Sequence, residues 1–223
     1  MILVDLPGHG ETGVLHLQDY SAERLARLVV DVMNGLDIEN ASVVANGVAC
    51  AIAVAMLRSN SDVEVVRNLV LIDPWLFDEA ERDRMIADYA PELQPQAFGQ
   101  HLLTAWYFAR DSELFWPWNA PLARNSLART PEISAAQTQD RAFDVIKAGS
   151  EFRRLMRELL AYDLHGELVS MESRGVRNIR IAARRGNGHE ARAARAADLA
   201  GAGYAVLPEC PDDWAPELDK CLS

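Results

Sequence analysis

The chain has 223 residues, 49% of them hydrophobic and 25% charged, the proportions of one globular domain or of a domain that carries an inserted lobe. Its formal net charge of −11 argues against unassisted binding to nucleic acid or to an anionic lipid surface, because either would repel it, and leaves small molecules or proteins as the expected partners. The cysteines Cys50, Cys210 and Cys221 have neither paired spacing nor companion histidines, so neither a zinc site nor a disulfide framework is expected.

Residues 1–5 are a short apolar run that ends at the turn-rich stretch Leu6-Pro7-Gly8-His9-Gly10, the pattern of a buried parallel strand and its loop. Ser21 then offers a helix N-cap, and Leu25, Leu28, Val29, Val32 and Met33 recur at three and four residues, which places one apolar face against a sheet. Residues 41–45 predict a second strand and residues 49–57 a small-residue apolar helix, joined at Asn46-Gly47-Val48. After the polar residues 59–62, a third buried strand is predicted at 68–72, closed by Asp73-Pro74. Strands that alternate with helices in this way imply a parallel α/β sheet.

From about Trp75 to Leu168 the pattern is helical with aromatic interruptions, and four of the five tryptophans (Trp75, Trp106, Trp116, Trp118) fall there. This stretch reads as an inserted helical lobe. The sheet resumes at 178–182, followed by a helix over 191–199 and a last short strand at 204–207.

Val4-Asp5-Leu6-Pro7-Gly8-His9-Gly10-Glu11-Thr12, the Ser21 helix, the strand-turn-helix over 43–57 and Leu69-Val70-Leu71-Ile72-Asp73-Pro74 together resemble the α/β-hydrolase fold superfamily over nearly the whole chain. The resemblance implies an α/β architecture: a parallel sheet flanked by helices, with residues 1–75 as a partial core, 76–168 as a helical cap and 169–223 as the C-terminal part of the core. It also implies that the family's first strands, with the loop that supplies one oxyanion donor, are not in this chain. The family's third strand lies between the counterparts of residues 2–4 and 43–45. Either those two close up, or an open edge remains through which the protein self-associates or pairs with a related hydrolase-fold partner.

The family sets its nucleophile on a sharp elbow, Gly-x-Ser-x-Gly. The matching stretch here is Ala45-Asn46-Gly47-Val48-Ala49, so Gly47 stands at the nucleophile position, and glycine has no side chain with which to attack. Ala45, Ala49 and Gly47 itself still permit the tight turn. Where the resemblance puts the acid, the sequence is Arg184-Arg185-Gly186-Asn187-Gly188; where it puts the histidine, it is Pro211-Asp212-Asp213-Trp214. An aspartate with a pKa of ~3.9 is a weak base for a hydroxyl proton.

Substitute catalytic groups are Cys50, a displaced nucleophile or a small core residue; Asp73, a relocated acid or a loop cap; and His9, a base or a turn residue. His101 reads as a cap-helix position, and His16 and His165 have no acidic or nucleophilic neighbour in a recognisable pattern. Phe115, Trp106, Trp116 and Trp118 either line a pocket for a small apolar ligand or form the lobe's own core. Arg174, Arg177, Arg180, Arg184, Arg185, His189, Arg192 and Arg195 make a basic cluster, and Gly186-Asn187-Gly188 ahead of a helix could present N–H groups to an anion, the alternative being a solvated face.

The expected function is that of a hydrolase-fold protein without hydrolase activity, binding a small molecule or scaffolding. The alternatives are a hydrolase of an ester, epoxide or similar apolar substrate that uses unconventional residues, and a truncated product without a role. No cofactor and no metal are expected. No signal-peptide pattern and no apolar run of the ~18 residues a membrane helix needs are present, so a cytoplasmic setting and no membrane partner are expected.

Overall fold

The structure, a computed structural model, describes residues 1–14, 20–59, 66–122, 125–128, 133–173 and 178–222. His16, Arg174, Arg177 and the turn at 60–62 lie outside the described residues. The contacts divide the chain into two compact units, one comprising Ser21–Asp78 with Tyr162–Ser223 and the other Met1–Tyr20 with Glu79–Ala161.

The first unit is an α/β layer structure. Its strands are β1 (Ala41–Asn46), β2 (Val66–Ile72), β3 (Ile179–Arg184) and β4 (Gly203–Leu207), all parallel and in the spatial order β1-β2-β3-β4. Residues 69–72 of the inner strand β2 and 181–183 of the inner strand β3 are apolar on successive residues because both faces of the sheet are covered there. On one face Ala45, Leu69, Leu71, Ile179, Ile181 and Ala183 pack with helices α2 (Cys50–Ser59), α7 (Leu164–Ser173) and α8 (Glu190–Ala200). The alanines 193, 196, 197 and 200 of α8 let its backbone approach the sheet closely. On the other face Val70, Ile72, Ala182 and Leu207 meet Trp214, Leu218 and Leu222 of a last helix and its approach, α9 (Ala215–Leu222).

Helix α1 (Ala22–Gly35) packs on α2 and is capped by Ser21, whose hydroxyl accepts from the Arg24 N–H at 3.3 Å. Leu25, Ala26 and Met33 are its buried stripe, whereas Val32, expected there, is exposed.

The strand expected over residues 1–5 is absent: these residues form no ladder, and Ile2 and Leu3 are 58% and 83% exposed. Their composition suits a strand, but a strand exists only where a neighbour accepts and donates its backbone hydrogen bonds. The first strand in the sheet is β1, which pairs with β2 alone, so the two segments do not close up into adjacent strands. The chain 1–20 instead belongs with residues 79–161.

That second unit holds α3 (Glu79–Asp88), α4 (Gln100–Asp111), α5 (Ala135–Ala148) and α6 (Ser150–Ala161). Leu93, Ala105, Ala109 and Ala142 form a core between α4 and α5, joined by Val145, Ile146 and Phe152, while α3 packs on α6. Among the described residues no helix is long and apolar enough to cross a membrane.

Candidate functional site

β1 ends at Asn46 in extended conformation, the chain reverses at Gly47 with φ +60°, and a 3-10 turn over Gly47–Ala49 runs into α2. This is a strand-turn-helix elbow whose left-handed residue glycine adopts without strain. Gly47 is buried, and a Cβ built on it would lie 3.3 Å from Nε1 and 3.5 Å from Cε2 of Trp75. The indole therefore occupies the space into which a side chain at 47 would project.

Trp75 is part of an aromatic stack. The His189 ring lies parallel to it (centroids 6.4 Å apart, 8° between planes) and Phe77 meets it edge-on at 6.4 Å. The Arg192 guanidinium sits 5.9 Å over Phe77. His189 is only 3% exposed, and burial, with a smaller contribution from Arg192, lowers its pKa to about 3. It is a neutral ring at physiological pH.

Asp73 follows β2 with a left-handed φ of +46° and is 2% exposed. Its Oδ1 accepts from the Arg184 N–H at 3.0 Å and its Oδ2 from Asn187 Nδ2 at 2.7 Å, which ties the end of β2 to the loop after β3. Burial raises its pKa, and these two hydrogen bonds act against the rise.

Cys50 is fully buried at the start of α2, its Sγ 3.6 Å from both the Ala45 and the Ile72 carbonyl oxygens. Burial, aided by the charge of Asp73, pushes its thiol pKa up, so it remains a protonated core thiol rather than a thiolate nucleophile.

The loop after β3 spends its amides internally. The Gly186 N–H donates to Glu190 Oε1 at 2.6 Å, the Asn187 N–H to the Arg184 carbonyl, the Arg185 N–H to the Leu207 carbonyl and the Arg184 N–H to Asp73. Arg184 Nε is bonded to the Glu209 carbonyl at 2.6 Å. An anion at Gly186-Asn187-Gly188 would have to displace these acceptors, which runs against the anion cradle weighed from sequence.

The remaining candidates are placed as follows. Asp213, where the resemblance puts the histidine, is exposed on a 3-10 turn over Pro211–Asp213. His9 lies in the N-terminal turn of the helical unit, where Nδ1 donates to the Pro7 carbonyl at 3.0 Å and the ring centroid is 6.3 Å from that of Phe152. His101 accepts the Gln96 N–H at 3.1 Å through Nδ1. His165 is partly buried on α7.

In the helical unit Trp118 meets Phe108 edge-on at 5.2 Å and donates from Nε1 to the Tyr89 carbonyl at 2.8 Å, and Trp116 contacts Tyr89 at 5.6 Å. Phe108 also meets Phe152 at 5.2 Å, so these rings form a continuous aromatic network. Phe115 makes an isolated bridge to Ser126, and Trp106 is partly buried on α4.

The fold thus brings Gly47, Cys50, Asp73, Asn187 and His189 into one unit, with Trp75 against both Gly47 and His189. The pairing of Trp75 with His189 was not read from sequence. Its one signal in the sequence is a histidine directly ahead of helix α8. Within this set the Gly47 position carries no side chain, burial keeps the Cys50 thiol protonated and both oxygens of Asp73 are engaged. Among the described residues no group of three or more His, Cys, Asp and Glu is placed to hold a metal ion.

The family model described as "Alpha/beta hydrolase family" matches residues 1–217. Solved structures that resemble the chain include a carboxylesterase of the thaumarchaeon Nitrososphaera gargenis (TM-score 0.64, 11% identity, covering 98% of this chain and 77% of that one). Others are epoxide hydrolase A of Mycobacterium thermoresistibile (0.62, 13%, 98% and 79%) and the esterase EaEST of Exiguobacterium antarcticum (0.61, 15%, 97% and 76%). At such identities the likeness is one of fold. No curated protein matches the sequence.

Proposed function

The chain belongs to the alpha/beta hydrolase family, and from that premise we propose that it is a member without hydrolase activity, binding a small apolar molecule or acting as a scaffold. The observation that carries this reading is Gly47 at the elbow, with the Trp75 indole filling the space a nucleophilic side chain would need. Covalent catalysis by the family's usual route needs a nucleophile on that elbow and a base within hydrogen-bond reach. The buried, protonated Cys50 and the fully bonded Asp73 supply neither.

The second reading, a hydrolase acting through Cys50 with His9 or Asp73, draws on the nearness of Asp73 to the Cys50 thiol, but the effect of that charge is to keep the thiol protonated. For the ligand, the partly buried aromatics Trp106, Phe115, Trp116 and Trp118 are the residues we assign, and their intrinsic fluorescence offers the readout.

The test is hydrolysis of short-chain p-nitrophenyl esters by the wild type beside Cys50→Ala and Gly47→Ser. We expect all three at the uncatalysed rate while circular dichroism shows them folded. Turnover by the wild type that Cys50→Ala abolishes would make Cys50 a relocated nucleophile and end the non-hydrolytic reading. A wild type that does not remain in solution would instead favour a chain without a preserved role.

A further inference from the structure

The helical unit contains a cavity of about 520 Å³ between α3, the segment after it and one face of α6. Volumes of this order are typical of small-molecule sites. Arg153, Arg154 and Arg157 of α6 line it, with Gln94 and the carboxylates Glu92 and Glu158. In a chain of net charge −11, three guanidiniums against two carboxylates make this wall locally cationic.

The three arginines are held differently. Arg153 Nη1 pairs with Glu92 Oε2 at 3.1 Å and Nη2 donates to the Ala87 carbonyl at 3.4 Å, so its plane is fixed and the Glu92 charge is engaged. Arg154 stacks over the Tyr20 ring at 4.4 Å, its Nη1 3.8 Å from Glu151 Oε2. Arg157, one turn from Arg153 on the same face, has no ion pair and no hydrogen bond among the described residues. A guanidinium presents a planar fork of N–H donors that matches the two oxygens of a carboxylate or the edge of a phosphate.

We propose that this cavity binds a small organic oxyanion, a carboxylate or a phosphate monoester. Arg157 supplies the free fork, Arg153 a pre-oriented second cation, and Gln94 and Glu158 the polar contacts to the rest of the molecule. The site lies wholly within the helical unit and uses nothing of the Gly47 elbow, so it stands or falls separately from the function proposed above.

Calorimetric titration of the full chain tests it, with succinate, glycerol 3-phosphate and inorganic phosphate as probes and glycerol as the uncharged control. Saturable binding of succinate or glycerol 3-phosphate is expected, with none of glycerol, and the tighter of the two identifies the preferred oxyanion. Arg157→Gln should weaken that binding by about tenfold or more, the loss of a charge-assisted contact, with an unchanged melting temperature because Arg157 makes no contact that holds the fold. No saturable binding by either organic anion, or equal binding by wild type and Arg157→Gln, would overturn the proposal.

Discussion

A side chain at position 47 would meet two costs at once: a left-handed backbone that L-residues rarely adopt, and the Trp75 indole at 3.3 Å from its Cβ. Strain of this kind is worth about 1–3 kcal/mol. Gly47→Ser should therefore lose about that much stability in denaturant titration and gain no esterase activity, since the neighbouring histidine is stacked on Trp75. An unchanged unfolding midpoint would mean that the indole moves freely and is not part of the elbow. His189 gives the pH dependence. Its pKa is about 3 in the fold and about 6.5 unfolded. Between those values the unfolded chain binds the extra proton, so the contribution is intact above pH 6.5 and is lost as pH falls toward 3, about 2 kcal/mol by pH 5. Asp73 acts oppositely: its raised pKa means that stability is lost as pH rises from the unfolded value of about 3.9 through the folded one. His189→Gln should flatten the acid limb between pH 6.5 and 5, measured as melting temperature against pH; an unaltered limb would place the titration elsewhere.

At the scale of elements, the strands buried on both faces were legible, because Leu69-Val70-Leu71-Ile72 and Ile181-Ala182-Ala183 can be apolar on successive residues only inside a covered parallel sheet. Ser21 as an N-cap and the Gly47 turn were equally legible, each resting on local chemistry. Two elements were not. Residues 1–5 carry strand composition without a ladder partner, and partnership is a property of the whole sheet rather than of the run. Helix α9 is short, with Pro216 in its first turn, and its Leu218 and Leu222 make sense only against Val70, Ile72 and Leu207, which are remote in sequence. The site divides in the same way: Gly47 and Asp73 followed from position along the chain, while the Trp75–His189 stack depends on two distant segments meeting. Leu71, fully buried in β2, should cost about 2–5 kcal/mol as Leu71→Ala in equilibrium unfolding; a smaller loss would mean that the sheet repacks around the hole.

For the whole molecule, β1 is the end strand of the sheet, and Val44, on its α9 side, is 44% exposed. An edge of this kind invites pairing with another chain, and we expect self-association through it. Sedimentation equilibrium should report a mass above that of the monomer, reduced by Val44→Lys; a monodisperse monomer at working concentration would remove the idea. The larger claim concerns chemistry. The family model matches residues 1–217, while Gly47, which the resemblance sets at the nucleophile position, has the Trp75 indole against it. Fold alone does not transmit an activity. The most direct measurement is a single-turnover assay, with protein in excess over a panel of activated esters and simple epoxides, run against heat-denatured protein. This account predicts conversion at the uncatalysed rate for every substrate; conversion above background by the folded wild type, lost on denaturation, would contradict it.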